Sequence, residues 1–319
     1  MGYVPTVAPA VPEPDQLSQD LVAAATDIYG EHESRRALHA KGIWCEATFT
    51  ATDEAGSLCR AAHFSGDAVP TLVRFSNGSG NPDSNDASRE ARGMAIKLRP
   101  AGGDETDMLA TTARAFATRT PEEFLELLRL RKPDPETGQP DMEKLGAWLD
   151  EHPEAQPSIA STMGLEPPAS FATVHYYSPH AFRYLDADEN GTWIRFRWRT
   201  DSGDEERIAD DDAGARGRDY LFDDLRERLA GGPVRFHLLI QLRPEGASLV
   251  DPTEVWPDDP GLIDSGTLEI TSVVDDPEGD GHIEVFDPLR LGDGIEPSDD
   301  PILHARESSY SVSAYRRLG

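Results

Sequence analysis

Cysteine is nearly absent from this 319-residue chain: Cys45 and Cys59 are the only two. Two cysteines make no disulfide framework, and neither has a histidine or acid at metal-ligand spacing, so both read as reduced thiols. Long apolar runs are missing as well. No stretch approaches the roughly 20 residues of a membrane-spanning helix. The opening residues MGYVPTVAPAVPEPDQ have neither the basic nor the apolar region of a secretory signal. MGYVPT fits the loose acylation pattern at Gly2 and Thr6, but the pattern is too short to carry weight. Basic residues are scarce: 30 Lys and Arg stand against 59 Asp and Glu, a formal charge of −29. Such a field repels nucleic acid and anionic membranes. The acids fall in runs such as DADEN, DSGDEE and DDDAG, which suit a solvated surface or adaptation to high salt. Internal repeats are absent too. These absences leave a soluble, cytoplasmic globular protein with no nucleic-acid partner and no integral membrane insertion.

What is present suits a packed domain, since 38% of the residues are hydrophobic. Residues 1–13 are rich in Pro and Ala and read as an extended arm. Helical periodicity runs from Asp15 to Tyr29, and apolar alternation predicts a strand after Gly42. PTLVRFS and GMAIKL are further strands, separated by the long polar loop that begins at Asn77. A strand is expected over Asp107–Thr118. PEEFLELLRLR and MEKLGAWLDEH read as helices flanking a linker. SFATVHYYS, TWIRFRWRT, PVRFHLLIQLRP and TLEITSVV are expected strands, DYLFDDLRERLAGG is a helix, and LGDGIEPSDD is a turn region before a last helix. Strands and helices do not alternate strictly, so the expected class is α+β with an antiparallel sheet, closed into a barrel.

Three stretches carry candidate chemistry. In Arg36-Ala-Leu-His39-Ala-Lys-Gly42, a His lies between a helix and a strand, where a neutral imidazole can shuttle a proton or simply be structural. In Arg74-Phe-Ser76-Asn77-Gly78-Ser79-Gly80, small residues let the backbone approach a planar ligand, and the Arg can pair a carboxylate. No G-K-[ST] follows, which excludes a phosphate loop. In the last helix Arg306, Tyr310 and Arg317 share a face. A guanidinium beside a Tyr hydroxyl favours the phenolate, a hard oxygen ligand for ferric iron. On its own the pair equally fits a Tyr packed beneath an Arg stem.

Taken in order, these stretches resemble the haem catalase family. The family reads R-x-x-H-A-K-G, R-F-S, R-G-x-A-x-K, D-x-x-G-N-N-T-P, G-I-E-P-S and R-x-x-x-Y before R-L-G. This chain has Arg36-x-x-His39-Ala-Lys-Gly, Arg74-Phe-Ser76, Arg92-Gly93-Met-Ala-Ile-Lys97, Gly294-Ile-Glu-Pro-Ser298, Arg306-x-x-x-Tyr310 and Arg317-Leu-Gly319. Its length and its RFSNGSG spelling resemble the small, catalase-related peroxidase branch. The resemblance implies a single catalase-like domain over residues 1–319, an antiparallel barrel with surrounding helices and haem b buried between the barrel and the last helix. It implies Tyr310 as the iron ligand supported by Arg306, with Asp300 orienting that Arg. His39 becomes the distal acid/base, oriented by Ser76. Arg36, Arg74 and Arg317 pair the haem propionates, and Phe124 stacks over the haem.

Departures from the family pattern set further expectations. Thr111 stands where the family has a distal Asn, which implies poor positioning of a second peroxide and little catalase turnover. Arg114 replaces a Pro beside the pocket. Arg197 stands at a strand position that is His in many catalases, so His-mediated support of Arg306 is expected to be missing. Gly78 replaces a Val that narrows the access channel, which implies a wider channel open to organic peroxides. The resulting expectation is a peroxidase that reduces hydrogen peroxide or organic hydroperoxides with a small organic donor, as a monomer or homodimer. The alternatives are a fatty-acid hydroperoxide-converting enzyme similar to the catalase-related allene oxide synthases, which have a Thr where this chain has Leu38, and a haem-binding protein without turnover.

Overall fold

A computed structural model describes residues 15–258, 261–278 and 282–318. The expected arm over residues 1–13 lies outside the described residues. Ten strands form one antiparallel sheet: β1 (Gly42–Ala51), β2 (Val69–Asn77), β3 (Arg92–Leu98), β4 (Thr106–Thr111), β5 (Tyr176–Tyr177), β6 (Phe182–Leu185), β7 (Gly191–Thr200), β8 (Val234–Leu242), β9 (Leu262–Val274) and β10 (Ile295–Pro297). Following the pairings β1-β2-β3-β4-β5-β7-β8-β9 and back to β1 closes a ring, with β6 and β10 added beside β7. Closure removes free sheet edges, which would otherwise template aggregation. The helices are α1 (Gln16–Tyr29), α2 (Asp53–Leu58), α3 (Pro121–Leu130), α4 (Met142–Glu151), α5 (Gln156–Thr162), α6 (Asp210–Ala215), α7 (Tyr220–Gly231) and α8 (Pro301–Arg317). None of the described helices is long and apolar enough to cross a membrane.

The barrel is filled by the inward residues that alternation predicts. Cys45, Phe49, Val73, Phe75, Ile96, Trp198, Phe236, Leu238 and Leu268 all belong to one buried cluster. Phe75 stacks on Phe171 at 5.5 Å, and Phe49 meets Trp198 edge-on at 5.9 Å. Both cysteines lie in this interior and are free. Burial pushes their thiols up, Cys45 to about 12 and Cys59 to about 11, so they behave as packing groups rather than nucleophiles.

Two expected strands are shorter than their sequences suggest. β4 ends at Thr111, because the Thr111 hydroxyl accepts from Ala113 N at 3.2 Å and turns the chain. Within SFATVHYYS only Tyr176–Tyr177 is strand. Ser170 accepts from Ala172 N at 3.0 Å and starts a 3-10 turn over Phe171–Thr173. The polar loop between β2 and β3 is an ordered structure. The buried Arg92 side chain donates to the carbonyl oxygens of Asp86, Ser88 and Glu90, at 2.8, 2.7 and 2.8 Å. Asp86 in turn receives Lys41 at 2.6 Å, Asn77 at 2.8 Å and Leu221 N at 2.9 Å. That network fixes the chain directly after β2, where the first candidate stretch and the second meet.

α3 begins with a full capping box, Thr120 and Glu123 each satisfying the other's backbone N–H. α8 is capped by Asp300, which accepts from Ile302 N and Leu303 N. α8 packs against α1 and α3. Its low apolar content is explained by the polar face that it turns towards a cavity.

Candidate active site

One cavity of about 380 Å³ lies between the outside of β2–β4 and the helices α1, α3 and α8. This size falls in the range of small-molecule and cofactor sites. Its walls are largely apolar, with Leu21, Val22, Phe116, Leu128 and Phe286 among them. His39, Ser76, Thr111, Arg36, Arg74, Phe124, Arg306, Tyr310 and Arg317 all line it, although they span most of the chain.

The α8 wall is a relay of four side chains. Asp300 Oδ2 meets His180 Nδ1 at 2.7 Å, and His180 Nε2 meets Arg306 Nη1 at 2.9 Å. Arg306 donates to the Tyr310 hydroxyl oxygen from Nε at 3.0 Å and from Nη2 at 2.7 Å. A guanidinium can only donate, so His180 Nε2 accepts and Nδ1 carries the proton to Asp300. Burial first, and then Arg306, hold His180 below its ordinary value against the pull of Asp300. A neutral imidazole is what this relay requires. Two donors on one oxygen suit a phenolate, which offers only lone pairs.

This relay corrects one expectation and gives the route of another. Support of Arg306 by a histidine is present, and it comes from His180 in the segment before β6. Arg197 is on β7 and pairs with Asp258 at 2.8 Å instead. Asp300, expected to orient Arg306, reaches it through His180.

Across the cavity, His39 Nδ1 lies 3.0 Å from Ser76 Oγ. No described residue bonds Nε2. His39 has φ 55, a left-handed conformation costing about 1 kcal/mol for a residue with a Cβ. Its N–H donates to Gly78 O at 3.3 Å and Ala40 N to Ser79 O at 3.0 Å, so the turn after β2 holds it. Gly93, paired with Ser76 in the β2–β3 register, makes the space. A Cβ there would lie 2.7 Å from Ser76 Oγ and 2.9 Å from His39 Nδ1. Burial pushes His39 down to about 4, with further contributions from Arg74, Arg306 and Arg36. His39 lines the cavity and is neutral at neutral pH; with Nδ1–H directed to Ser76, Nε2 is the basic nitrogen.

At one end of the cavity stand Arg36, Arg74 and Arg317. Arg74 passes under Gly42, where a Cβ would fall among its guanidinium atoms. It donates to the carbonyl oxygens of His39 at 3.0 Å and Ala40 at 3.3 Å. Trp44 lies beneath both Arg36 and Arg74, 5.3 and 5.4 Å from ring centre to guanidinium. Arg74 Nε and Arg317 Nε are buried without a hydrogen-bond partner. Buried N–H donors left unpaired in cavity-lining residues are a specific vacancy for an anionic group. Arg36 and Arg317 additionally bond Glu278, a residue with no motif to mark it in the sequence.

Phe124 on α3 lines the cavity and meets Phe116 edge-on at 4.9 Å. Thr111 lines it too, but its hydroxyl is engaged by the turn at Ala113. Two departures from the family pattern lie outside the cavity wall. Gly78 is not part of the lining, and a Cβ there would meet Ala91 O at 2.8 Å. Arg114 also stays out of the lining: it pairs with Asp258 at 2.7 Å and lies over Tyr177 at 5.4 Å.

A planar, largely apolar cofactor with acidic groups fits these residues. The walls are apolar, unpaired guanidinium N–H groups lie at one end, and a doubly hydrogen-bonded Tyr oxygen faces a His/Ser pair.

The catalase family model matches residues 18–319. The chain is 41% identical to a catalase-related peroxidase from Mycolicibacterium paratuberculosis, covering 96% of this chain and 95% of that one. It is 32% identical to a catalase-related peroxidase from Synechococcus elongatus, covering 95% and 88%. Catalase A from Saccharomyces cerevisiae superimposes with a TM-score of 0.78 at 27% identity, over 91% of this chain and 62% of the other. A fungal catalase gives a TM-score of 0.78 over 91% and 60%. The chain thus spans about three fifths of the larger catalases and nearly all of the catalase-related peroxidase from Mycolicibacterium paratuberculosis.

Proposed function

The chain belongs to the catalase family as a peroxidase acting on peroxide, and from that premise we propose that it binds haem b and reduces hydrogen peroxide or organic hydroperoxides with a small organic donor. The observation that carries this is the pairing, across one cavity, of the Asp300–His180–Arg306–Tyr310 relay with the His39–Ser76 pair.

Tyr310 would hold the iron through its oxygen, and Arg74 and Arg317 would receive the propionates on their unpaired N–H donors. Bound there, the haem would supply the redox chemistry, accepting and returning electrons that no side chain of the cavity can carry. The protein's own contribution is proton handling and orientation. Ser76 Oγ accepts from His39 Nδ1–H, which leaves the Nε2 lone pair towards the cavity. His39 Nε2 takes the proton from the peroxide oxygen that binds. It would return that proton to the departing oxygen, which leaves as water or an alcohol, while the electron pair that the O–O cleavage consumes would come from the haem and be restored by the organic donor. Because His39 stays neutral down to about pH 4, this base is available across the physiological range. Arg306 keeps two hydrogen bonds on Tyr310, and His180 with Asp300 stops the guanidinium from rotating away.

Thr111 supports low catalase turnover. Its hydroxyl accepts from Ala113 N at 3.2 Å and donates to Ala113 O at 3.4 Å, so little is left to position a second hydrogen peroxide. A steady-state assay of haem-loaded protein tests the reading. Oxidation of an organic donor that outpaces oxygen release is expected. Consumption of a fatty-acid hydroperoxide with no donor oxidised would replace the reading with the hydroperoxide-converting one, and inactivity in every assay would leave a haem-binding protein.

A further inference from the structure

The arginine cluster at the cavity end already contains an anion from the protein itself. Arg36 grips Glu278 with both arms, Nη1 to Oε2 at 2.8 Å and Nη2 to Oε1 at 2.9 Å. Arg317 Nη1 donates to the same Oε1, as does Glu284 N at 3.1 Å. The four donors come from three parts of the chain. The side chains of Arg36, Glu278 and Arg317 are only 17%, 14% and 6% exposed, so this is not a loose surface pair.

The charges nearby are uneven. Glu284 also lines the cavity, but it is bound to Lys97 at 3.4 Å and Arg99 at 3.1 Å. Arg74 has no ion-pair partner among the described residues. Three guanidiniums therefore meet two carboxylates: Glu278, which bonds two of them, and Asp276, whose charge also acts on Arg36 and Arg74. A cofactor carboxylate is drawn to the positive charge that remains, yet the fork of Arg36 is occupied. A fork whose two arms hold one carboxylate cannot hold a second in the same way. A cofactor carboxylate that reaches Arg36 or the Nη1 of Arg317 must loosen Glu278.

We propose that Glu278 is a built-in anion that competes with the cofactor's carboxylates for Arg36 and Arg317, and so sets how tightly the cofactor is retained. The inference deepens the haem reading and rests on it. Glu278 does not line the cavity and acts only through the two arginines.

The test is the release of haemin from loaded protein into excess apomyoglobin, followed at the Soret band. Wild type, Glu278→Gln and Glu278→Asp are each loaded with haemin or with haemin dimethyl ester, whose carboxylates are masked. With haemin, Glu278→Gln should release at least about tenfold more slowly than wild type, the worth of one charge-assisted hydrogen bond. With the diester the two should release equally. Glu278→Asp keeps the charge but is one methylene short of bridging both arginines, so it should fall between them and serves as the second variant if Glu278→Gln folds poorly. Equal haemin release in wild type and Glu278→Gln overturns the proposal. Faster haemin release from Glu278→Gln also overturns it, since Glu278 would then be a clamp that steadies the arginines. Failure of wild type to take up haemin would remove the haem reading itself, and this inference with it.

Discussion

Acid should weaken this protein through His39 before it impairs the proton transfer that His39 performs. In the unfolded chain the imidazole has its ordinary value of 6.5, and in the fold burial and three guanidiniums push it down to about 4. Between those values the unfolded state binds the proton and the native state does not, so stability falls as pH falls through 6.5 and levels off below about 4. Each pH unit of that window is worth about 1.4 kcal/mol, which makes the loss about 3 kcal/mol by pH 4. Water in the cavity screens part of this, so the figure is an upper bound. The assay is urea denaturation at pH 7 and pH 4 for wild type and His39→Gln, whose amide does not titrate. Wild type should lose up to about 3 kcal/mol more than the variant. His63, pushed down to about 3 by burial, contributes with the same sign to both proteins and cancels. Equal losses in the two proteins would refute the depressed, neutral His39 on which the mechanism depends.

Other perturbations test the remaining parts. His180→Leu removes the acceptor for Arg306 and the partner of the buried Asp300, so we expect a loss of about 1–3 kcal/mol in stability together with a shifted Soret band; thermal melting and the spectrum check both. Gly93→Ala places a methyl 2.7 Å from Ser76 Oγ and 2.9 Å from His39 Nδ1. Haem content should stay near wild type, while the stopped-flow rate with peroxide drops by about 10² or more, as for loss of a general acid–base group. Thr111→Asn restores an amide at the cavity wall and should raise oxygen release relative to donor oxidation, read with an oxygen electrode beside a donor assay.

Much of the fold could be read from period-two alternation. β1, β7 and β8 lie where apolar residues alternate, whereas β2 and β3 are buried on both faces and read as short strands without that period. The failures have local causes. Side-chain hydrogen bonds from Ser170 and Thr111 to nearby backbone ended two strands that apolar content alone would have extended. At the site, the residues brought together at the cavity were those that the family resemblance marked, since each sits in a short motif. His180 was missed because its role is set by Asp300, 120 residues away, and by Arg306; nothing beside it in the sequence announces either partner. The Ser-Pro-His stretch just before β6 was the only available signal. Glu278 lies in an Asp-, Pro- and Gly-rich stretch that reads as a plain turn, and only the fold sets it against Arg36 and Arg317.

The absorption spectrum of Tyr310→Phe beside wild type, each loaded with haemin, addresses the central claim most directly. The phenylalanine keeps the ring and loses only the oxygen on which Arg306 converges. The account predicts that the variant loses haem or shows a displaced Soret band while its far-UV circular dichroism is unchanged. A variant with full haem content and the wild-type Soret band would contradict it, because the iron would then be held by some other group.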